Sequence, residues 1–198
     1  MRLLASAAIA AHLAACSPAP TPAPATTETP ATTTAPVDTN AITSEGWGPL
    51  RIGMTRAEVT AAVGATATPD AVGGPDPQAC DLYHPANAPE GLLVMIEHER
   101  LTSITLRNAT LKTDRGLGVG DTAAAIKAAY GASAQVQPHH YSPPGEYITV
   151  WTVGAPANAA NFVQDANARG IRYETNPEGR VTAVHAGGPS IQNVEGCS

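Results

Sequence analysis

The chain has 198 residues, with 17 acidic and 11 basic side chains and a formal net charge of −6 at pH 7. This acidic balance and the lack of a basic patch argue against a nucleic-acid partner. No apolar run reaches the about 20 residues of a membrane-spanning helix, so we expect a water-soluble folded part. Phe162 is the only phenylalanine, so Val, Ile, Leu and Ala must supply most of the core.

Residues 1–15 have the three parts of an export signal: a positive Arg2, a short apolar run and small residues at its end. The order Leu13-Ala14-Ala15-Cys16 resembles the lipobox of bacterial lipoproteins. That resemblance implies cleavage before Cys16, acylation of Cys16 and anchoring in a membrane. The absence of Asp after the cysteine favours the outer membrane, with the protein facing the periplasm. The alternative is an ordinary secretory signal cut elsewhere, with Cys16 as an incidental thiol.

Residues 16–44 follow the signal and are rich in Pro, Thr, Ala and Ser. Frequent proline removes hydrogen-bond donors, and no side chain in this stretch is large enough to build a core. We predict a disordered tether with local polyproline II character, able to extend to about 85 Å. The folded part is then expected from Glu45 onward.

Two short stretches of the folded part predict equivalent helices. Thr55 and Thr122 each follow a glycine and precede an Ala-rich apolar pattern, as expected for residues that cap a helix N-terminus. Glu58, three residues after Thr55, completes a capping box. Gly64 and Gly131 are suited to end the two helices.

The second half of each stretch also repeats. Residues 99–104 (Glu-Arg-Leu-Thr-Ser-Ile) parallel residues 179–184 (Gly-Arg-Val-Thr-Ala-Val), and each follows a β-rich run, 92–97 or 171–175, as in a hairpin. The second unit needs an insertion, which we place within 136–168, where 147–153 predicts a further strand. We therefore predict an α+β fold of two fused repeats, each a short helix followed by an antiparallel sheet. Unit 1 spans residues 45–115, and unit 2 with a C-terminal tail spans 116–198.

The Ile52-Gly53-Met54-Thr55-x-x-Glu58-Val59 box with its Gly64 end resembles the small lipoproteins of the outer-membrane barrel-assembly machinery. The tandem plan of helix and strands is similar to that of the secreted β-lactamase-inhibitor protein and its relatives. These resemblances imply that the helices pack on one face of the sheet. They also imply that the other, concave face is open and binds a protein. They carry no catalytic residue and no contact residue onto this chain.

With Cys16 acylated, Cys80 and Cys197 remain as a pair in an oxidising compartment. We predict that they form a disulfide that pins the C-terminal tail to the first unit. Two buried thiols, or a thiol pair with a redox role, are the alternatives. Their wide separation differs from the Cys-x-x-Cys spacing of redox catalysts.

The sequence contains few patterns that point to catalysis. His139 and His140 are adjacent, so strand alternation would turn them to opposite sides and prevent joint metal binding. Zinc, calcium, phosphate-loop and serine-hydrolase motifs are all missing from the sequence. We predict that the protein binds no metal and no cofactor and that it is not a catalyst. An enzyme is a further alternative.

A binding surface is predicted around the strand at 147–153. Alternation places Tyr147 and Trp151 on one face, with Tyr141 in the adjoining Pro-rich loop. Such aromatic side chains are common at binding hot spots and also stack on sugar rings. The predicted partner is an envelope protein, with a glycan as the alternative. Equally, Tyr147 and Trp151 could fill a core that is short of phenylalanine.

Overall fold

The computed structural model of the protein describes residues 40–66, 76–155 and 162–197. All of these residues belong to one compact unit, Pro36–Ser198. The predicted signal peptide, Cys16 and most of the predicted tether lie outside the described residues. Among the described residues, no helix combines the length and the apolar character needed to cross a membrane.

The fold is α+β, as predicted, with a large antiparallel sheet and two short helices. Strands β3 to β9 form one sheet in the order β3-β4-β5-β9-β8-β7-β6, and β1 pairs with β2 in a small separate ribbon. The elements are β1 (Gly46–Trp47), β2 (Leu50–Arg51), α1 (Arg56–Val63), β3 (Cys80–Tyr83), β4 (Leu92–Glu97), β5 (Arg100–Leu106), α2 (Ala123–Tyr130), β6 (Gln135–Pro138), β7 (Glu146–Val153), β8 (Arg169–Thr175) and β9 (Val181–Gly187).

Both helices begin at the predicted threonines. The Thr55 side chain accepts a hydrogen bond from the Glu58 N–H, and the Glu58 carboxylate accepts from the Thr55 N–H at 2.7 Å. The Thr122 side chain accepts from the Ala125 N–H at 3.1 Å. These bonds satisfy N–H groups that have no partner within the helix. The capping box and both helix starts are therefore confirmed.

The turn before each helix is tied to a strand hairpin by the same pair of bonds. In each case a glycine N–H donates to a strand carbonyl, and an arginine side chain donates to the carbonyl of that glycine. Before α1, Gly53 N donates to Leu101 O at 2.8 Å, and Arg100 Nη1 donates to Gly53 O at 3.0 Å. Before α2, Gly120 N donates to Val181 O at 2.9 Å, and Arg180 Nη1 donates to Gly120 O at 3.1 Å.

One face of the seven-stranded sheet carries the hydrophobic core, and we call it the core face. Alternate residues of its strands, such as Ile104, Ile148 and Tyr173, are fully buried there. Val59 of α1 and Ile126 of α2 are fully buried as well and belong to the same hydrophobic cluster. Burying a side chain of this size contributes about 1.5–3 kcal/mol, so this cluster is the main source of stability.

The opposite face of the sheet is also largely covered. Met95, Thr105, Tyr147 and Arg172 point to this side and are at most 4 % exposed. The C-terminal tail crosses it, and the short 3-10 helix Pro189–Gln192 packs against β5, β8 and β9, so we call it the tail face. The prediction of an open second face is wrong for these strands. Alternation shows which residues share a face, but it does not show what covers that face.

The disulfide between Cys80 and Cys197 is confirmed. The two Cα atoms lie 5.4 Å apart, and the bond joins the start of β3 to the end of the tail. The folded part also includes Ile42, which the sequence analysis assigns to the tether. Ile42 is 1 % exposed and its N–H donates to the Lys112 carbonyl at 2.9 Å. One apolar side chain in a polar stretch was too weak a pattern to predict this packing.

Candidate functional site

The loop between β6 and β7 is organised by His139. The His139 N–H donates to the Gly145 carbonyl at 2.8 Å, while the N–H groups of Tyr141 and Ser142 both donate to His139 Nδ1. Because Nδ1 accepts, the proton of the neutral ring resides on Nε2. His139 is buried and His140 is exposed, so the adjacent histidines face different environments.

On the tail face, Glu174 lies between two histidines. His139 Nε2 is 2.8 Å from Glu174 Oε1, and His185 Nε2 is 3.5 Å from Glu174 Oε2. Thr105 Oγ1 lies 3.0 Å from His185 Nδ1 and holds the other side of that ring. The contacts with His185 and then His139 lower the pKa of Glu174 to about 2. Burial lowers the pKa of His185.

Thr105, His185 and Glu174 repeat the order of a nucleophile, its base and an orienting carboxylate. Thr105, however, is only 4 % exposed and lines none of the three grooves described below. A reactant cannot reach its hydroxyl, so we interpret this network as structural, linking β5, β9 and β8. In the described parts of the chain, no group of three or more His, Cys, Asp or Glu side chains is arranged to hold a metal.

Arg172, beside this network, is stacked on an aromatic ring. Its Cζ lies 3.6 Å from the centre of the Tyr147 ring, and the His139 ring stacks on Tyr147 at 4.5 Å. Arg172 Nη1 donates to the Ile191 carbonyl of the tail at 3.1 Å. Burial lowers the pKa of Arg172. The predicted binding residue Tyr147 therefore lies beneath the tail. It is 4 % exposed, so its ring is inaccessible to a large partner.

A surface groove runs between the β6–β7 loop and the tail. It has a volume of about 480 Å³ and is lined on one side by the disulfide. Three exposed side chains at this groove, Tyr141 (60 %), Phe162 (53 %) and Val194 (43 %), form what we call the apolar patch. The Tyr141 hydroxyl donates to the Glu195 carboxylate of the tail, and this contact raises the pKa of Tyr141.

Trp151 lies in a different groove from Tyr141 and Tyr147. This second groove has a volume of about 260 Å³, and Tyr130, Asp114 and Arg115 also line it. The Trp151 ring covers Gly170, the residue opposite it on β8, where a Cβ atom would come within 2.7 Å of the ring. The structure thus brings Tyr141 and Tyr147 to one region and places Trp151 elsewhere.

Several residues of the tail-face region are not found by the sequence analysis. Arg172 and Glu174 lie in a predicted strand, and two charged side chains at alternate positions of an otherwise apolar run are a usable signal for a polar site. No sequence pattern indicates that Phe162 and Val194 belong to a binding site, because exposed apolar residues gather into a patch only through tertiary structure. Cys16 lies outside the described residues.

Acidification should destabilise the fold through His185 and Glu174. Both pKa values lie below their ordinary values, so both groups bind fewer protons in the folded state than in the unfolded state. The free energy of unfolding should therefore fall below about pH 6.5 and fall further below about pH 4.5. After allowance for the 30 % exposure of Glu174, its share is about 2 kcal/mol.

Urea unfolding at pH 7, 5 and 3 measures this pH dependence. Glu174→Gln should be less stable at pH 7 and should show a smaller decline below pH 4.5; the decline that is left comes from other carboxylates with a lowered pKa, such as Glu58 and Asp121. The matched control is Glu178→Gln, which replaces an exposed carboxylate in the neighbouring turn. Equal slopes of stability against pH for the Glu174→Gln variant and the original chain would contradict the assigned network.

No protein-family model matches this chain, and no curated protein matches it. A solved structure with a similar course of the backbone is that of a DUF4309 family protein (YjgB) from Bacillus subtilis subsp. subtilis str. 168. Its sequence is 15 % identical, the TM-score is 0.44, and the match covers 75 % of this chain and 88 % of that chain. This likeness concerns the backbone alone.

Proposed function

We propose that this protein is a lipoprotein of the bacterial cell envelope whose folded head binds another envelope protein without catalysis. Residues 1–15 are the signal, Cys16 carries the lipid that holds the chain in the outer membrane, and the spacer runs from Cys16 to the start of the folded part, which already includes Ile42. The Cys80–Cys197 disulfide supports export, because such cross-links persist in oxidising compartments. Replacing Cys16 by serine should release the protein from the membrane fraction of its cell.

The apolar patch is the observation that carries the binding role. Tyr141, Phe162 and Val194 each leave more than two fifths of their surface in water, yet they gather at one groove. Exposed apolar side chains are unremarkable singly, but a group of them at a groove is typical of an interaction site. Tyr is also among the residues most enriched at binding hot spots.

A photoreactive amino acid placed at position 162 of the full-length, acylated protein tests this role in intact envelopes. We expect one protein to be crosslinked from position 162 and to be lost when Tyr141 is replaced by alanine. Position 153 is the matched control, since Val153 is 51 % exposed and lines none of the described grooves. The same set of crosslinked proteins from both positions, or none from position 162, would refute the proposal.

We also propose that the head consists of two fused repeats, 45–115 and 116–198, with both helices on the core face. The matching bonds of Gly53 and Gly120 to their hairpins support this proposal. So does the antiparallel pairing of β5 with β9, which joins the two halves of the sheet at its middle. In that pairing, Thr105 faces His185, and each occupies the equivalent place in its own half.

A carbohydrate-binding head is the second candidate, and the Trp151 groove favours it. There an aromatic ring lies beside polar side chains, among them Asp114 and Arg115. The other tryptophan, Trp47, is 8 % exposed, so a glycan in this groove should quench mainly Trp151 fluorescence. Titration with envelope glycans, repeated on Trp151→Phe, tests this role. Quenching that persists unchanged in that variant would count against it.

A further inference from the structure

Next to the surface groove at the apolar patch, a buried cation lines a second cavity on the tail face. Arg172 is 4 % exposed, and its Nε has no hydrogen-bond partner within the described parts of the chain. None of the ion pairs formed among the described residues includes Arg172. Arginine keeps its proton when buried, so a missing hydrogen-bond partner at its guanidinium is unfavourable.

The nearby carboxylate does not meet this need. Glu174 acts on Arg172 through space, but its two oxygens lie against His139 and His185. The Ile191 carbonyl accepts one bond from the guanidinium, which carries five N–H donors. Tyr147 covers one flat side of the group. Arg172 is thus held by Tyr147 and by the Ile191 carbonyl, and its Nε–H is left without a partner among the described residues.

Arg172 is also one of the residues that line an open space. Arg172 and Tyr147 line a cleft of about 350 Å³, together with the polar side chains of Gln137 and Gln192. Phe162 and Val194 of the apolar patch form its outer, apolar part. This volume is at the lower end of the range for small-molecule sites. The cleft therefore offers one charged end and one apolar end.

We propose that this cleft binds a carboxylate carried on a small apolar group, with Arg172 as its charged anchor. Arg172 is the only Arg or Lys among the described residues that line the cleft, and Glu174 lies close by, so the charge of the cleft suits a monoanion rather than a phosphate. A carboxylate also matches the planar fork of the guanidinium. The proposal names the ligand chemistry of the groove and rests on the proposed function only in taking that groove as a binding site.

The experiment uses the full-length acylated protein in detergent and three probes: N-acetylphenylalanine, its primary amide and inorganic phosphate. Calorimetry and protein chemical shifts report binding. We expect the acid to bind and the amide to bind at least about tenfold more weakly, because a charge-assisted pair is lost. Phosphate should not compete with the acid.

Two arginine variants locate the site. Arg172→Gln should weaken binding of the acid to the level of the amide, and Arg172→Lys should recover part of it. Arg115→Gln is the matched control, because Arg115 is also stacked on a tyrosine, Tyr130, but is exposed and lies in the Trp151 groove. Circular dichroism of each variant confirms that it is folded.

Equal binding of acid and amide by the unaltered protein, or binding of phosphate alone, would overturn the proposal without any variant. The proposal would also be overturned if Arg115→Gln weakened binding of the acid as much as Arg172→Gln does. These results leave the crosslinking from position 162 untouched. Failure of the carboxylate site and failure of the protein-binding role are therefore distinguishable.

Discussion

Replacing Cys80 and Cys197 together by serine should lower the free energy of unfolding by about 4–5 kcal/mol. The disulfide closes a loop with a sequence separation of 117, and a cross-link of that span removes much of the conformational freedom of the unfolded chain. It also holds the tail against the sheet. Since single domains have about 5–15 kcal/mol of stability in total, this loss is large.

Urea unfolding of the double variant, compared with the original chain with and without reductant, measures the effect. Reductant should move the midpoint of the original chain toward that of the variant and leave the variant itself unchanged. Hydrogen exchange should show loss of protection at Ile191 and other tail amides. If the double variant unfolds at the same urea concentration as the oxidised original, the bond contributes nothing to stability.

Ile104→Ala should destabilise the fold by about 2–5 kcal/mol. Ile104 is fully buried on β5, and it faces Ala186 across the β5–β9 pair at the middle of the sheet. Alanine removes apolar surface from the core and leaves a cavity that the neighbouring strands cannot fill by relaxing. The damage should therefore reach both halves of the sheet.

A series at this position checks the explanation. Ile104→Val should cost only about 0.5–1.5 kcal/mol, because most of the side chain is kept. Val153→Ala, at a position 51 % exposed, is the surface control and should stay within about 0.5 kcal/mol. Two separate unfolding transitions for Ile104→Ala would show that the halves of the sheet are not one cooperative unit, and that would contradict the shared core.

Local patterns account for the elements that sequence analysis predicted correctly. Thr55 and Thr122 cap helices because a hydroxyl next to free N–H groups has the same geometry in any fold. The strand at 147–153 is recognisable because its apolar residues alternate. The turn at residues 97–100 was a weaker signal, since His98 and Glu99 adopt positive φ without glycine. The hairpin there is nevertheless tight, because Glu97 pairs with Arg100 and leaves a turn of only His98 and Glu99.

Besides the two-residue strands β1 and β2, two strands of the seven-stranded sheet are not predicted from the sequence, because their own patterns are weak. β3 and β6 are four residues long and lie at the two edges of the sheet. Gln135–Pro138 ends in proline and has Val136 as its one aliphatic side chain before it, so its alternation is too short to predict a strand. Pairing with β7 makes it a strand, and that pairing is a tertiary contact.

The α+β class, the helix starts, the central hairpins and the disulfide partners were all predictable from the amino-acid sequence. The first three depend on residues close together in the chain, and the disulfide depends on the number of cysteines available. Three features became visible only in the folded chain. The tail covers the second face of the sheet, Tyr147 is buried while Tyr141 is exposed, and Arg172 borders a cleft. Such features depend on which distant segments meet, and the alternation of a strand contains no information about its covering layer.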